Sequence, residues 1–166
     1  MKRVLQLVSR DEPGGVQVLT RMIAEGLNAR GVQITTLALA GEGSLPARLA
    51  HLARVMGALL FGRYDAVFSY HAAAGVIAAI FGAIGRIPLR AVHQTAMPHA
   101  VRAHWRWLDR CCGTLGLHSH IIANSRATEA AFANYPAPYR VRIRIIAHGV
   151  IPLPQPKFAF DWRITL

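Results

Sequence analysis

Short runs with the length and residue types of β-strands are interleaved, along almost the whole chain, with runs whose apolar residues recur at a helical period. "RVLQLVS" (3–9), "VQITTLAL" (32–39), "DAVFSY" (65–70), "PLRAVHQT" (88–95), "HIIANS" (120–125) and "RIRIIAHGV" (142–150) read as strands. Between them lie helical patterns at 16–29, 46–62, 71–85, 99–116 and 126–135. In the first of these, Val16, Leu19, Ile23 and Leu27 share a face and Gly31 can end the helix; in the second, Pro46 sits in the first turn. Strands joined through helices must run parallel and be covered on both sides. The expected fold is therefore Rossmann-like α/β, a parallel sheet of about six strands with helices on both faces and right-handed crossovers.

At 166 residues, 53% of them hydrophobic, the chain can bury one ordinary core, so residues 3–151 are expected to form one domain. After Val150 the texture changes. "IPLPQPKFAFDWRITL" has three prolines in five positions, and 152–166 reads as a Pro-rich linker or truncated tail. Nineteen basic residues against eight acidic ones give a net charge of +11, which favours anionic partners: phosphates, nucleic acid or an acidic membrane surface. Cys111 and Cys112 are adjacent, a poor geometry for bridging each other, and read as small apolar helix residues in a reducing compartment. The apolar run of "MKRVLQLVS" is too short for the core of a signal peptide. The alanine-rich stretch 71–85 falls short of the roughly 18 residues that span a bilayer, and reads as a buried core helix. A cytoplasmic protein, at most peripheral on the inner face of a membrane, is expected.

In a doubly wound sheet, ligands sit beyond the carboxyl ends of the strands. Gly14 and Gly15 lie there, between the first strand and the first helix. Glycine permits positive φ and close approach of a ligand, and a helix amino terminus offers unpaired N–H groups to an anion. A tight turn with no ligand would use the same residues. A dinucleotide site does not fit: "EPGGVQV" lacks the third glycine of G-x-G-x-x-G, and no acid ends the second strand, where only Glu42 is near. Nor does a Walker loop, since no G-K-S or G-K-T follows.

The order of motifs resembles the N-terminal domain of GT-B glycosyltransferases of family 4, also called group 1. Members open with a strand, a "GG" loop, and a helix ending in a leucine–glycine pattern before strand two, as in "PGGVQVLTRMIAEGLNARGVQI". A D-h-h-h-x-H strand (h, apolar) is matched in "YDAVFSYH", ending at His71, and a later strand ends in a histidine, as "RAVHQT" does at His93. "HIIANSRATEAAF" carries the serine before a short helix at Ser125, and "IRIIAHGV" puts His148 where the family has asparagine. The resemblance spans residues 3–151. It implies transfer of a sugar from a nucleotide-sugar donor to a glycan or lipid-linked acceptor, as in bacterial surface polysaccharide or glycolipid synthesis. Family members carry a second Rossmann domain with an E-x7-E pair that grips the donor. The last glutamate here is Glu129, so the resemblance implies the acceptor-side half, inactive when isolated and completed by a C-terminal domain or partner subunit.

The resemblance further implies that Gly14 and Gly15 floor the cleft against a diphosphate or acceptor phosphate. It places His93 near the reacting sugar, where positive charge develops on the ring; a histidine that only satisfies a strand-end hydrogen bond is the alternative. His71 and Thr95 are candidates for acceptor contact. Ser125 is expected to cap the following helix, with Thr128 and Glu129 in its first turn. His118 and His120 show no metal-ligand spacing with the cysteines, and neither metal nor cofactor is expected.

Within 99–116, Arg102, Arg106 and Arg110 recur every four residues, away from Val101, Trp105, Leu108 and Cys112, with Trp107 beyond the edge of the stripe. Such a stripe suits a helix on anionic headgroups, or is simply a solvated face. In 46–62, Arg48, His51 and Arg54 stand opposite Leu49, Leu52, Met56 and Leu59, the expected core side. A non-catalytic basic module that binds phosphate-containing ligands or nucleic acid is the rival reading. The scattered aromatics and the lack of a nucleic-acid motif make nucleic acid the weaker partner.

Overall fold

The computed structural model describes residues 1–10 and 14–147. All six expected strands form: β1 (Arg3–Val8), β2 (Gln33–Ala38), β3 (Ala66–Tyr70), β4 (Leu89–Gln94), β5 (His120–Ala123) and β6 (Ile143–Ile145). They make one parallel sheet in the order β2-β1-β3-β4-β5-β6. The helices are α1 (Gly15–Asn28), α2 (Leu45–Phe61), α3 (Ala72–Ile84), α4 (Ala103–Thr114), α5 (Arg126–Ala130) and α6 (Ala137–Arg140). His148 and the 152–166 segment lie outside the described residues.

Side chains alternate across each strand, and this sorts the layers. Leu5, Leu7 and Val67 face α2 and α3, where they meet Val55, Leu59, Ala74 and Ala78 in the largest core cluster. On the same side Val92, Ile121, Ala123 and Ile143 pack against Phe132 and Tyr139, around α5 and α6. The other face, with Phe68, His93 and Ile122, lies beneath α1. Helix α3 is buried as its composition suggests, and it approaches closely because Gly75 has no side chain: a Cβ there would stand 2.6 Å from Val92.

Three departures from the expected elements have local causes. Helix 99–116 is split. Pro98–Ala100 form a single 3-10 turn, Val101 is extended, and α4 starts only at Ala103 with Arg102 as its N-cap. Pro98 suits a first turn, while extended, β-branched Val101 stops that turn from growing into α4. Helix 126–135 is α-helical only to Ala130 and continues to Tyr135 in tighter turns whose N–H groups donate three residues back (Phe132 to Glu129, Ala133 to Ala130, Tyr135 to Phe132); Pro136 then caps a separate α6. In α2 only Val55 and Leu59 are buried; Leu49 and Leu52, expected in the core, are exposed. Burial in α2 is confined to its C-terminal half, which packs on α3 and the Leu5–Val67 face, and none of the core residues comes from its N-terminal half. His51 ties that half to β2 through a 2.7 Å contact between Nε2 and the Ala38 carbonyl.

Candidate functional site

The strand order turns around between β1 and β3. From β1 the chain moves outward to β2, and then returns past β1 to β3. The crevice at such a switch point is where open α/β sheets bind ligands. A cavity of 560 Å³ opens there, walled by Ser9 and Arg10 after β1, by Gly14, Gly15 and Gln17 at the start of α1, and by His71 after β3. Gly14, Gly15 and His71, separate in the sequence, thus line one space.

The glycines are not there for backbone reasons. Gly14 is extended (φ 170°), Gly15 begins α1, and neither has the positive φ that a glycine turn would need. A Cβ built on either meets no described atom within 4 Å. The expectation of positive φ is therefore corrected, and turn formation loses its support as their explanation. What remains is open backbone beside the first N–H groups of a helix, Gly15 and Val16, which have no acceptor inside it.

His71 carries the strain instead. At φ 71° and ψ 157° it occupies a region that is essentially glycine's alone, at a cost of about 1–3 kcal/mol for other residues. It is held by its own N–H, which donates to the His93 carbonyl at 3.4 Å, and by its carbonyl, which accepts from Gly75 at 2.9 Å. Its half-buried imidazole has its pKa lowered by desolvation, opposed in part by the Tyr70 backbone. A neutral ring is thus presented to the cavity, and its buried Nδ1 makes no hydrogen bond of good geometry among the described residues.

His93 ends up elsewhere. Its side chain leaves the sheet on the α1 side, stacks on Tyr70, and floors a separate apolar groove of 430 Å³ with Phe68, Ile122 and Ile146. Only its backbone carbonyl reaches the first cavity's wall, through His71. Thr95 follows β4, half-buried, and does not line that cavity. Ser125 accepts from the Thr128 N–H at 3.1 Å and caps α5 as expected. Of the arginines, Arg102 is the α4 N-cap, Arg106 donates to the Pro98 carbonyl at 3.2 Å, and Arg110 lies 5.4 Å over the Tyr135 ring.

Sequence reading missed a buried polar cluster behind β4. Asp109, 3% exposed, accepts from Tyr139 Oη at 2.7 Å and from Gln94 Nε2 at 3.1 and 3.2 Å, and meets His118 Nε2 at 3.1 Å. The one signal in the sequence is an acid in α4 beside Leu108 and Cys112, on the helix's apolar side. Gln94 immediately follows His93, so the cluster anchors the end of the strand from which His71 hangs.

No protein-family model and no curated protein matches this chain. Among solved structures it is similar to Anabaena Alr3699/HepE in complex with UDP (TM-score 0.64), with UDP and glucose (0.66) and with UDP-glucose (0.65), each at 22% sequence identity. Each likeness covers 90% of this chain but 44–45% of that one, so the chain spans less than half the length of the structures it matches. The shared feature is the fold.

Proposed function

We propose that this chain is the acceptor-side half of a GT-B glycosyltransferase, and that the cavity at the switch point holds a phosphate-bearing group of the reactants. The observation that carries the reading is the convergence of Gly14, Gly15 and strained His71 on one cavity. Support comes from the likeness in fold to a protein crystallised with UDP-glucose, and from the order of family-4 motifs. In this reading the first N–H groups of α1 approach a diphosphate or acceptor phosphate over the bare glycines. Neutral His71 hydrogen-bonds an acceptor hydroxyl and can take up its proton as the sugar is transferred. His93 contributes through its carbonyl, which fixes the strained backbone of His71. The grip on the nucleotide comes from a second domain or subunit bearing the E-x7-E pair.

Two measurements test this. Titration of the 15N-labelled chain with UDP-glucose and with a short prenyl diphosphate should shift the amides of Ser9, Gly14, Gly15, Gln17 and His71 for at least one probe. Shifts spread over the basic surface, reproduced by a single-stranded oligonucleotide, would replace the reading with that of a basic binding module. Separately, the isolated chain should release no nucleotide from UDP- or GDP-sugars; turnover would show that no second half is required.

A further inference from the structure

The three long helices packed on the Leu5–Val67 face end side by side at the amino edge of the sheet, opposite the cavity. Each end exposes a large apolar side chain just before a glycine: Phe61 (80% exposed) before Gly62, Ile84 (63%) before Gly85, and Leu115 (75%) before Gly116. An arginine accompanies each one. Arg63 and Arg86 follow the first two glycines with φ of 51° and 58°, and both are exposed. At the third end the guanidinium of Arg142, the residue before β6, lies against Gly116 and also donates to the Pro138 carbonyl. The ends are neighbours, since Gly85 is seated on the Leu59 carbonyl and the Leu60 backbone, while Ile80 of α3 and Leu117 after α4 join one apolar cluster. With helices about 8–10 Å apart, the row is roughly 20 Å long.

A helix carboxyl terminus attracts cations, which accounts for the arginines. It does not account for the apolar side chains. The row continues up the outer side of α4, where Leu115, Trp107 (63% exposed) and Arg110 line a 310 Å³ groove whose exposed lining is nearly all apolar. At the edge itself, exposed Phe61, Ile84 and Leu115 beside guanidinium groups make the composition of a surface that rests on anionic headgroups.

We propose that this amino edge is a docking surface for an anionic lipid bilayer, with Phe61, Ile84 and Leu115 at the headgroup boundary and Arg63, Arg86 and Arg142 against lipid phosphates. Charge selects the occupant. The acids of this edge are Asp65, before β3, and Glu25, in the last turn of α1, against those three arginines, Lys2, Arg3 and Arg30, so a second copy joined edge to edge would set arginine against arginine. Three apolar side chains also supply far less than the roughly 800 Å² per partner of a standard protein interface. Of the stripe that begins at Arg102, only Arg110 adjoins the surface. Docking by this edge turns the cavity away from the bilayer, so an acceptor anchored in the lipid must have a head long enough to pass a sheet about 20 Å tall. Only that last consequence rests on the transferase reading; the surface itself does not.

The test reads binding rather than transfer. Full-length protein is sedimented with vesicles of phosphatidylcholine alone and of phosphatidylcholine with phosphatidylglycerol. Binding is expected only with the anionic lipid. Replacing Phe61, Ile84 and Leu115 together by Ser should weaken it at least about thirtyfold without lowering the melting temperature, because all three are exposed. Arg63→Asn with Arg86→Asn, a residue that tolerates positive φ, should weaken it by roughly thirtyfold as well. The Leu45→Gln, Leu49→Gln, Leu52→Gln variant, which alters the exposed ridge of α2, should bind normally. No preference for anionic vesicles, or loss confined to the α2 variant, would overturn the proposal. So would a concentration-dependent dimer that the Phe61, Ile84 and Leu115 changes abolish.

Discussion

The imidazole of His93 lies against the ring of Tyr70, with centroids 4.7 Å apart and planes 28° from parallel. The two are register partners on β3 and β4, so their side chains leave the sheet on the same face. That stack holds His93 in the apolar groove beneath α1 and leaves the cavity wall to His71, the next residue after Tyr70. Two histidines that look equivalent in the sequence are thereby given different surroundings.

If the glycines serve a ligand, Gly15→Val should separate folding from binding. Its Cβ meets nothing and its backbone needs no positive φ, so stability should change by no more than about 0.5 kcal/mol. Affinity for a diphosphate-bearing probe should fall at least about tenfold, as the side chain enters the cavity. Thermal melts and a titration check both halves; unchanged affinity would show that the cavity does not take its ligand over Gly15.

His71→Gly should have opposite effects on stability and function. Glycine adopts φ 71° and ψ 157° freely, so relief of about 1 kcal/mol of strain should raise the melting temperature by about 2–4 °C. Transfer by the enzyme completed with its second half should fall, because the imidazole is gone. Differential scanning calorimetry alongside an activity assay would show whether the strain is kept for function.

The same histidine gives stability a pH dependence of known sign. Burial lowers its pKa in the folded chain below the ordinary 6.5, so the unfolded chain takes up the proton first as pH falls. Its contribution is fully present above about 6.5 and is lost as pH falls from there through the lower folded pKa. Urea midpoints at pH 7.5 and 5.0 should therefore differ less in His71→Gln, which keeps the backbone strain, than in the parent chain.

Tyr70 is fully buried, and its hydroxyl has no hydrogen-bond partner among the described residues; desolvation raises its pKa, so it stays neutral. Tyr70→Phe removes an unsatisfied polar atom and keeps the stack on His93. It should stabilise the domain by about 1 kcal/mol, read from denaturant unfolding.

Asp109→Ala should do the reverse. It strips the acceptor from Gln94 and Tyr139 and the partner from His118, all within the interior. A loss of about 3–5 kcal/mol is expected, comparable to breaking a buried charge network. Tyr139→Phe should cost about 1–3 kcal/mol, and in the double variant the losses should not add, because the two share one bond.

The alternation of strand-like and helix-like runs sufficed for the parallel α/β class and for the place of the glycine loop. Periodicity reports which residues can share a face, and crossover geometry leaves one way to connect them. The cap at Ser125 was legible for the same reason, since its partner is three residues away. Tertiary structure decided what depends on distant neighbours. Whether Leu49 is core or surface turned on which part of α2 the sheet and α3 cover, and the strain at His71 on the backbone it meets at His93. Asp109 acquired its partners from β4, α6 and the segment before β5 only when those elements met behind the sheet. Local periodicity is written into a single segment, whereas burial, strain and polar satisfaction are properties of a contact and exist only once both sides of it are in place.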